Sequence, residues 1–558
     1  MSRPQATHHS YWSKLQDLRS RYPKLEGTER ADVVVLGGGI TGLSTALELL
    51  ERGLMVIVLE ALTIGAGTTG GSTGHLDCHP ERGAREMLDQ LGLETARDIC
   101  AARRTAISKI EHRADGTCDV QRIPAYYYSE NGEHRDWAAR EMEACEQLGM
   151  DVEWTTDVPL PFFATGFRIR DMARLNSTAY VHRLAERVIA HGGKIFEQSR
   201  GEGPDGEQPH TMQVGTGVVE FDRLVVAVHS NFTNVQRIYL QIPPYQSYAM
   251  AVRVDNPPPD ALYWDDAEPY FYTRRALTVD PQVLIIGGCD HRTGMGNPAE
   301  AKDKLSTYIH ARYQVREVIS QWSAELFEPV DGRPIIGLVP GTSNVWIATG
   351  LSGVGLTWGT AAGEIIASLV CDGSHKLEHV LSPSRFGLDG LGSLMQAHLA
   401  TAADYSERVL PAHRFDPAEL KPGEGKVGVV DHHFVAVCKD RHGCEHRFSP
   451  ICTHMGGVVH WNEVEQTWDC PVHGGRFTAD GNADLSTALR RKRDLDQRTI
   501  KLSLSHKAEL DESNATDKQL CTFCVQRRRR WLRSSRGWRA CMRVPPVCVH
   551  KVRSAASR

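Results

Sequence analysis

"ADVVVLGGGITGLSTALELLERGLMVIVLE", residues 31–60, is the stretch whose reading decides the fold of most of the chain. Its opening run, Asp32 to Leu36, is rich in Val and lacks polar alternation, which predicts a parallel strand buried on both faces. After "GGGITG", the segment "LSTALELLERG" carries apolar residues at helical spacing and ends on Gly53. "LMVIVLE" (54–60) is the second strand, so the unit is β-turn-α-β. Gly37, Gly39 and Gly42 form G-x-G-x-x-G between strand and helix. The first permits the tight turn, the second lets backbone approach a pyrophosphate, and the third lets helix and strand pack closely. Glu60 ends the second strand 18 residues past Gly42, where a carboxylate accepts from ribose hydroxyls and repels a 2′-phosphate. A turn that merely needs glycines satisfies the motif alone. Strand, helix, second strand and acid in register predict a dinucleotide site other than NADP.

Mixed α/β continues to about residue 395: "TAYVHRLAERVIAHGG" and "TAAGEIIASLVCDG" read as helices, "KIFEQ", "RLVVAVHS" and "VLIIGG" as strands. "LPAHRFDPAELKPGEGKVG" (410–428) is rich in Pro and Gly and reads as a linker. The short segments "KVGVVD" and "HFVAVCKD" beyond it predict a small all-β domain. The expected organisation is an N-terminal extension (1–30), a nucleotide-binding domain with an interleaved substrate part (31–395), a linker (396–427), the all-β domain (428–505) and a basic tail (506–558).

A chain of 558 residues needs two or three cores, and 41% apolar with 24% charged residues is ordinary globular composition. No apolar run reaches bilayer length, and the first thirty residues lack the apolar centre of a signal peptide. Fourteen cysteines scattered through so long a chain favour reduced thiols and metal ligation, and a cytoplasmic setting is expected. The net charge of −5 hides an asymmetry: residues 521–558 hold ten Arg and one Lys without an acid, which leaves −16 for the rest. The acidic body offers no basic stripe to nucleic acid. The tail's cysteines fit no zinc finger and its arginines no amphipathic period. It reads as a disordered basic end, or as translation past the true frame or splice boundary.

"ICTHMGG" (451–457) and "WDCPVHGGRF" (468–477) place Cys452 and His454, then Cys470 and His473, as C-x-H and C-x-x-H separated by fifteen residues. Two thiolates and two imidazoles suit tetrahedral zinc, or a [2Fe–2S] cluster with the Cys pair on one iron and the His pair on the other.

Both ends resemble known families. "GAGTTGGSTGHL" (65–76), "WDDAEPYFYTRRA" (264–276), "LIIGGCDHRTG" (284–294) and "EPVDGRPIIGLVPGTSNVWIATGLSGVGLTWGTAAGEIIASLV" (328–370) resemble, in order and spacing, the D-amino acid oxidase and sarcosine oxidase superfamily over about residues 30–375. The resemblance implies FAD, with Thr69, Ser72 and Thr73 in the second flavin-contact segment and Gly350, Gly353, Gly355 and Thr357 in the closing one. His75 could face the ring, carry a covalent flavin link, or sit near the pyrophosphate. Tyr272 and Arg274, two residues apart on one strand, could form a pocket wall that clasps a carboxylate; a surface arginine is the commoner outcome. One departure is Cys289, where that family usually has Glu. "VGTGVVEF" (214–221) lacks the third glycine of a second nucleotide motif, so electrons are expected from an organic substrate, an amine or amino acid, and not from NAD(P)H.

"CTHMGG…WN…WDCPVHGGRF" resembles Rieske domains across both ligand loops, which favours iron over zinc. The implied fold class is an α/β FAD-binding domain (Rossmann-like, glutathione-reductase type) with a mixed α+β substrate domain, followed by a small all-β Rieske domain. The extra disulfide of high-potential Rieske proteins is replaced by Gly457 and Val472, and their hydroxyl donors by Gly475 and Phe477. A low-potential cluster is therefore expected. The "GPA"-like shielding segment of Rieske domains is missing: no proline falls between Pro471 and Pro545. A flavin takes an electron pair and a [2Fe–2S] cluster one electron, so the pair is expected to convert two-electron oxidation into single-electron export to an unknown acceptor. The alternatives are a flavin oxidase using O₂ beside a vestigial Rieske domain, and a non-catalytic cofactor-binding scaffold. A ring-hydroxylating oxygenase is disfavoured, since the chain shows no two-His-one-carboxylate set.

Overall fold

The computed structural model describes residues 10–15, 20–130, 135–201, 210–229, 238, 241–276, 280–385, 413–453, 456–472 and 474–481. The opening stretch forms β1 (Thr28–Leu36), α1 (Ile40–Glu51) and β2 (Val56–Leu59) as its pattern predicts. β1 lies parallel to β2, Val33 opposite Val56, and on its other side parallel to β3 (Gly217–Val226), Val33 opposite Arg223. The Val run is buried on both faces: Val33 and Val35 enter the core under α1, Val34 and Leu36 the core on the opposite face. This sheet has seven strands in the order Ile335–Leu338, Val345–Thr349, β3, β1, β2, Lys194–Phe196, with His210–Val214 also paired to β3.

Two long helices pack over it, α2 (Leu93–Ala114) and α3 (Gly355–Cys371). α3 approaches α1 through glycines one turn apart. A Cβ on Gly359 would fall 2.7 Å from Thr41 Oγ1, and one on Gly363 2.8 Å from the Thr45 backbone nitrogen. Together with the turn before it (Ser352–Cys371), α3 is the single helix among the described residues long and apolar enough to cross a bilayer, and it is mostly buried in this core.

The second sheet has nine strands. At one edge stand β4 (Pro244–Val254), β5 (Phe271–Arg275), β6 (Val283–Arg292) and β7 (Val315–Phe327), in the order β7-β4-β6-β5. Leu262–Asp265, Gln121–Ser129, Thr165–Arg174 and His75–Leu76 continue the sheet, which therefore ends on the segment that begins at Gly65.

The C-terminal part is two three-stranded sheets: Gly425–Val430, His433–Lys439, Glu445–Phe448, and His460–Asn462, Thr467–Asp469, Arg476–Thr478. Two boundaries differ from expectation. Phe415 and Leu420 pack against Val430 and Val437, so apolar side chains draw the end of the expected linker into the β domain. Tyr11 and Trp12 of the N-terminal extension are buried against β4, β6 and β7, with Trp12 Nε1 donating to the Ser72 carbonyl at 2.9 Å. Residues 482–558, including the basic tail and the stretch that lacks the proline segment, lie outside the described residues.

Candidate functional site

A cavity of about 800 Å³ runs from the β1–α1 turn to the nine-stranded sheet. At its nucleotide end Gly37 has φ +108°, and a Cβ there would stand 2.5 Å from the Ala227 carbonyl oxygen. Gly42 does not line the cavity; a Cβ on it would collide with the Gly37 carbonyl, so its absence sets how close α1 lies to β1. Gly39 caps α1 without a side chain, and Gly39, Ile40 and Thr41 line the cavity, so the start of the helix stands at it. Ile40 N–H donates to Thr69 Oγ1 at 3.2 Å. Glu60 is bound by Gly38 N–H at 2.7 Å and Leu62 N–H at 2.8 Å. Burial raises its carboxyl while those two donors hold it down. Bare turn, helix dipole and carboxylate fit the ADP half of a dinucleotide.

At the far end Thr73, His75 and Tyr272 line the cavity, with Ser72, Gly350, Gly353 and Gly355 on its rim. His75 Nδ1 lies 3.0 Å from Thr73 Oγ1, its Nε2 is buried without a partner, and burial holds the imidazole well below its ordinary value. Burial thus favours the neutral ring, with Nε2 left to offer. Its centroid lies 5.1 Å from that of Trp264 and 5.2 Å from that of Tyr272.

Two expected site residues are elsewhere. Thr357 is buried in the first turn of α3, its hydroxyl donating to the Val354 carbonyl at 3.1 Å. Arg274 does not reach the cavity, because the flavin-contact segment covers it. Its Nε donates to the Thr73 carbonyl at 2.6 Å, its Nη2 to the Leu175 carbonyl at 2.9 Å, and its guanidinium lies 5.0 Å above the Trp12 ring. It holds the backbone that carries Ser72 to His75 and clasps no carboxylate. Charge-assisted hydrogen bonds of this kind contribute roughly 1.5–3 kcal/mol each. Arg274→Ala is therefore expected to lower unfolding free energy by about 3 kcal/mol and to release FAD, read by denaturant titration and flavin-to-protein ratio. Full stability and flavin content with lost substrate reduction would restore the clasp. Cys289 (φ +59°) also faces away, into the cluster with Tyr248 and Phe271; Asp290, the next residue, lines the cavity.

In the β domain Cys452 and Cys470 are buried at the base of matching turns. Cys452 N–H donates to the Gly457 carbonyl and Cys470 N–H to the Gly475 carbonyl, each at 2.8 Å. The two loops face one another: a Cβ on Gly457 would lie 3.0 Å from Cys470 Sγ, and one on Gly475 3.3 Å from Cys452 Sγ. The same Gly457 Cβ would lie 2.5 Å from Val472 Cγ2, so the two positions expected to replace a disulfide are in contact. His454 and His473 lie outside the described residues. Two buried sulfurs on facing loops fit the cysteine half of a cluster.

β7 joins the two sites. Trp322, Ala324 and Leu326 line the cavity, with Trp322 Nε1 donating to the Gly71 carbonyl at 2.8 Å. The side chains of Ser323 and Glu325 alternate to the opposite face, although Glu325 also borders the cavity. There Ser323 bonds Glu465, which also binds Arg476, and Arg476 Nε donates to Asp469 Oδ1 at 3.1 Å. Glu325 packs against Gly474, whose φ of +67° and lack of a Cβ allow the approach. A Cβ on Gly294, at the end of β6, would lie 2.9 Å from the Pro471 nitrogen. Gly474 thus rests on the back of the strand whose front walls the cavity, with Pro471 beside Gly294. Glu325, Gly294 and Gly474 were not identified from sequence, because nothing local in "WSAELFEP" announces a partner 149 residues away.

Models of two families match the chain: FAD dependent oxidoreductase over residues 32–369 and Rieske [2Fe-2S] domain over residues 414–499. A protein of Bacillus subtilis (strain 168) named for a Rieske 2Fe-2S iron-sulfur centre, YhfW, is 27% identical over 498 residues, 87% of this chain and 97% of that one. The cytochrome b6-f complex iron-sulfur subunit of Synechococcus elongatus is 30% identical over 139 residues, 24% of this chain and 72% of that one. Glycine oxidase from Geobacillus kaustophilus superposes with a TM-score of 0.54 at 18% identity, over 64% of this chain and 99% of that one, and so shares the fold.

Proposed function

The chain belongs to the FAD dependent oxidoreductase family and carries a Rieske [2Fe-2S] domain, and from that premise we propose that it oxidises a C–N bond of an amine or amino acid. In this reading a hydride passes from carbon to FAD, water hydrolyses the resulting imine, and the electrons leave one at a time by way of a low-potential Rieske cluster for an outside acceptor. The observation that carries the proposal is β7: one strand lines the flavin cavity with Ala324 and supports the 470–475 loop with Glu325. Intramolecular transfer needs a fixed, short separation between donor and acceptor, and the bonds of Ser323 and Arg476 to Glu465, which tie β7 to the β domain, support that reading. Gly37, Gly39 and Glu60 would hold the adenosine diphosphate part, Thr69, Ser72, Thr73, Gly350, Gly353 and Gly355 the flavin part, and Cys452 and Cys470, with His454 and His473, the iron. Neutral His75, between Trp264 and Tyr272, would orient the reacting carbon without supplying a strong base. The free thiols of Cys78, Cys100 and Cys145 suit the reducing cytoplasm.

Anaerobic mixing with a panel of amines and amino acids tests the proposal. Flavin bleaching followed by loss of the oxidised cluster's visible absorption is expected. Stoichiometric peroxide in air with the cluster unchanged would contradict it.

The cluster's potential is a second expectation, on the order of −150 mV. A serine at 475 would place its hydroxyl beside Cys452 Sγ, where the glycine offers no donor. One added hydrogen bond of about 1 kcal/mol corresponds to roughly 40 mV for a one-electron couple. Gly475→Ser is expected to raise the midpoint by about that much in a redox titration. A strongly positive wild-type midpoint, or no shift in the variant, would refute the argument.

A further inference from the structure

Glu81, Asp265, Asp290 and Glu328, from four separate segments, line the same cavity as Tyr272. Among the described residues none of the four pairs with a Lys or Arg within 4.0 Å. Asp290 accepts from Tyr270 Oη at 2.9 Å, and its Oδ1 is shut from solvent without a partner. Asp265 accepts from Phe271 N–H at 2.7 Å and leaves Oδ2 in the same condition. Glu81 accepts from Gly353 N–H at 2.6 Å. Burial pushes Asp265 and Glu328 up to about 7 and Glu81 up to about 8, against the pull of Arg82 on Glu328 and of Arg103 on Glu81. The guanidinium at this end, Arg82, donates to the Pro329 carbonyl at 3.3 Å and lies 4.0 Å from Glu86. Arg274, the expected anion clasp, is behind the wall.

Aromatic rings complete the enclosure. Tyr127 stacks on Trp264 at 5.1 Å, and Tyr270 lies 6.2 Å from Tyr272. Carboxylates with no ion pair within 4.0 Å, beside π faces, attract an organic cation. A substrate carboxylate would oppose ionisation of these acids further; a second ammonium would draw a proton off them and pair with the carboxylate left behind.

We infer that the substrate is a diamine or polyamine whose distal ammonium is held by Asp290 and Glu328 while its reacting amine lies at His75 and Tyr272. The inference rests on the C–N reading above and narrows it from amines and amino acids to organic dications.

The test titrates the anaerobic holoenzyme with 1,4-diaminobutane, butylamine and glycine, reading flavin reduction and spectral perturbation without reduction as separate signals. Wild type, Asp290→Asn, Glu328→Gln and the double variant are compared, with flavin content and dithionite reduction as controls. The diamine is expected to act at about tenfold lower concentration than butylamine, with glycine weakest. The double variant is expected to erase the difference between diamine and butylamine; should it fail to load FAD, the single variants, each eroding the preference, decide. Glycine favoured over the diamine, a preference that survives substitution, or no response to the diamine overturns the inference. A diamine that perturbs the flavin in the expected ranking yet never bleaches it upholds the binding inference and removes the C–N reading.

Discussion

Cys470→Ser is expected to yield a protein that still binds FAD and whose flavin is still bleached by any substrate that bleaches the wild type, but that holds no iron and shows no Rieske EPR signal. The iron on the Cys side of such a cluster is held by two thiolates, and a serine hydroxyl, far less acidic than a thiol, is a poor replacement for one of them. The loop itself survives, because its turn is held by backbone: Cys470 N–H to the Gly475 carbonyl at 2.8 Å and Gly474 N–H to the Cys470 carbonyl at 2.9 Å. Nothing at position 470 lines the flavin cavity. Reduction of a one-electron acceptor is expected to fall by on the order of 100-fold while flavin content stays at the wild-type level, since even the loss of a residue supporting a metal ligand costs 10–100-fold. Iron and flavin assays on the same sample check it. Iron retained at the wild-type level would mean that Cys470 is no ligand.

Gly42→Val is expected to do the reverse. A Cβ at 42 collides with the Gly37 carbonyl, so α1 must move away from β1 and take the N–H groups of Gly39 and Ile40 with it. Overpacking of this kind costs about 1–3 kcal/mol on its own. Here it also opens the one turn shaped for a pyrophosphate. FAD content is expected to fall below a tenth of the wild-type value, on the order of the 1.4 kcal/mol that a tenfold loss of affinity represents. Cys452, Cys470, Trp468 and Phe477 share a separate core, so the cluster signal remains. Gly42→Ala meets the same carbonyl with a smaller group and errs in the same direction. A variant that keeps its flavin would show that the turn adapts and that Gly42 sets nothing.

The β1–α1–β2 unit was legible because each of its requirements is local: a Val run, glycines at fixed spacing, an acid at the strand end. The cysteine loops were legible for the same reason. Arg274 was misread because strand alternation gives the face a side chain takes and not what covers that face; the Thr73 and Leu175 carbonyls come from elsewhere in the chain. Thr357 was carried over with its segment, although helix phase turns its hydroxyl back onto Val354. Asp265, Asp290 and Glu328 sat in quoted segments yet drew no reading, since a missing counter-ion becomes visible only when every neighbour is placed. Their signal in sequence was slight: "WDD" and "FEP" are acids with no adjoining base, and Asp290 in "CDH" is followed by His291 and Arg292. The contact of Glu325 with Gly474 is the least legible of all, a meeting of two domains written in neither.

The central claim, that flavin and cluster act as one electron path, is tested most directly by EPR on anaerobic protein reduced with substoichiometric amine, with iron and flavin assayed on the same sample. The account predicts about two irons per flavin and a Rieske signal that grows in step with flavin bleaching. A bleached flavin beside an EPR-silent cluster that only dithionite reduces would contradict it.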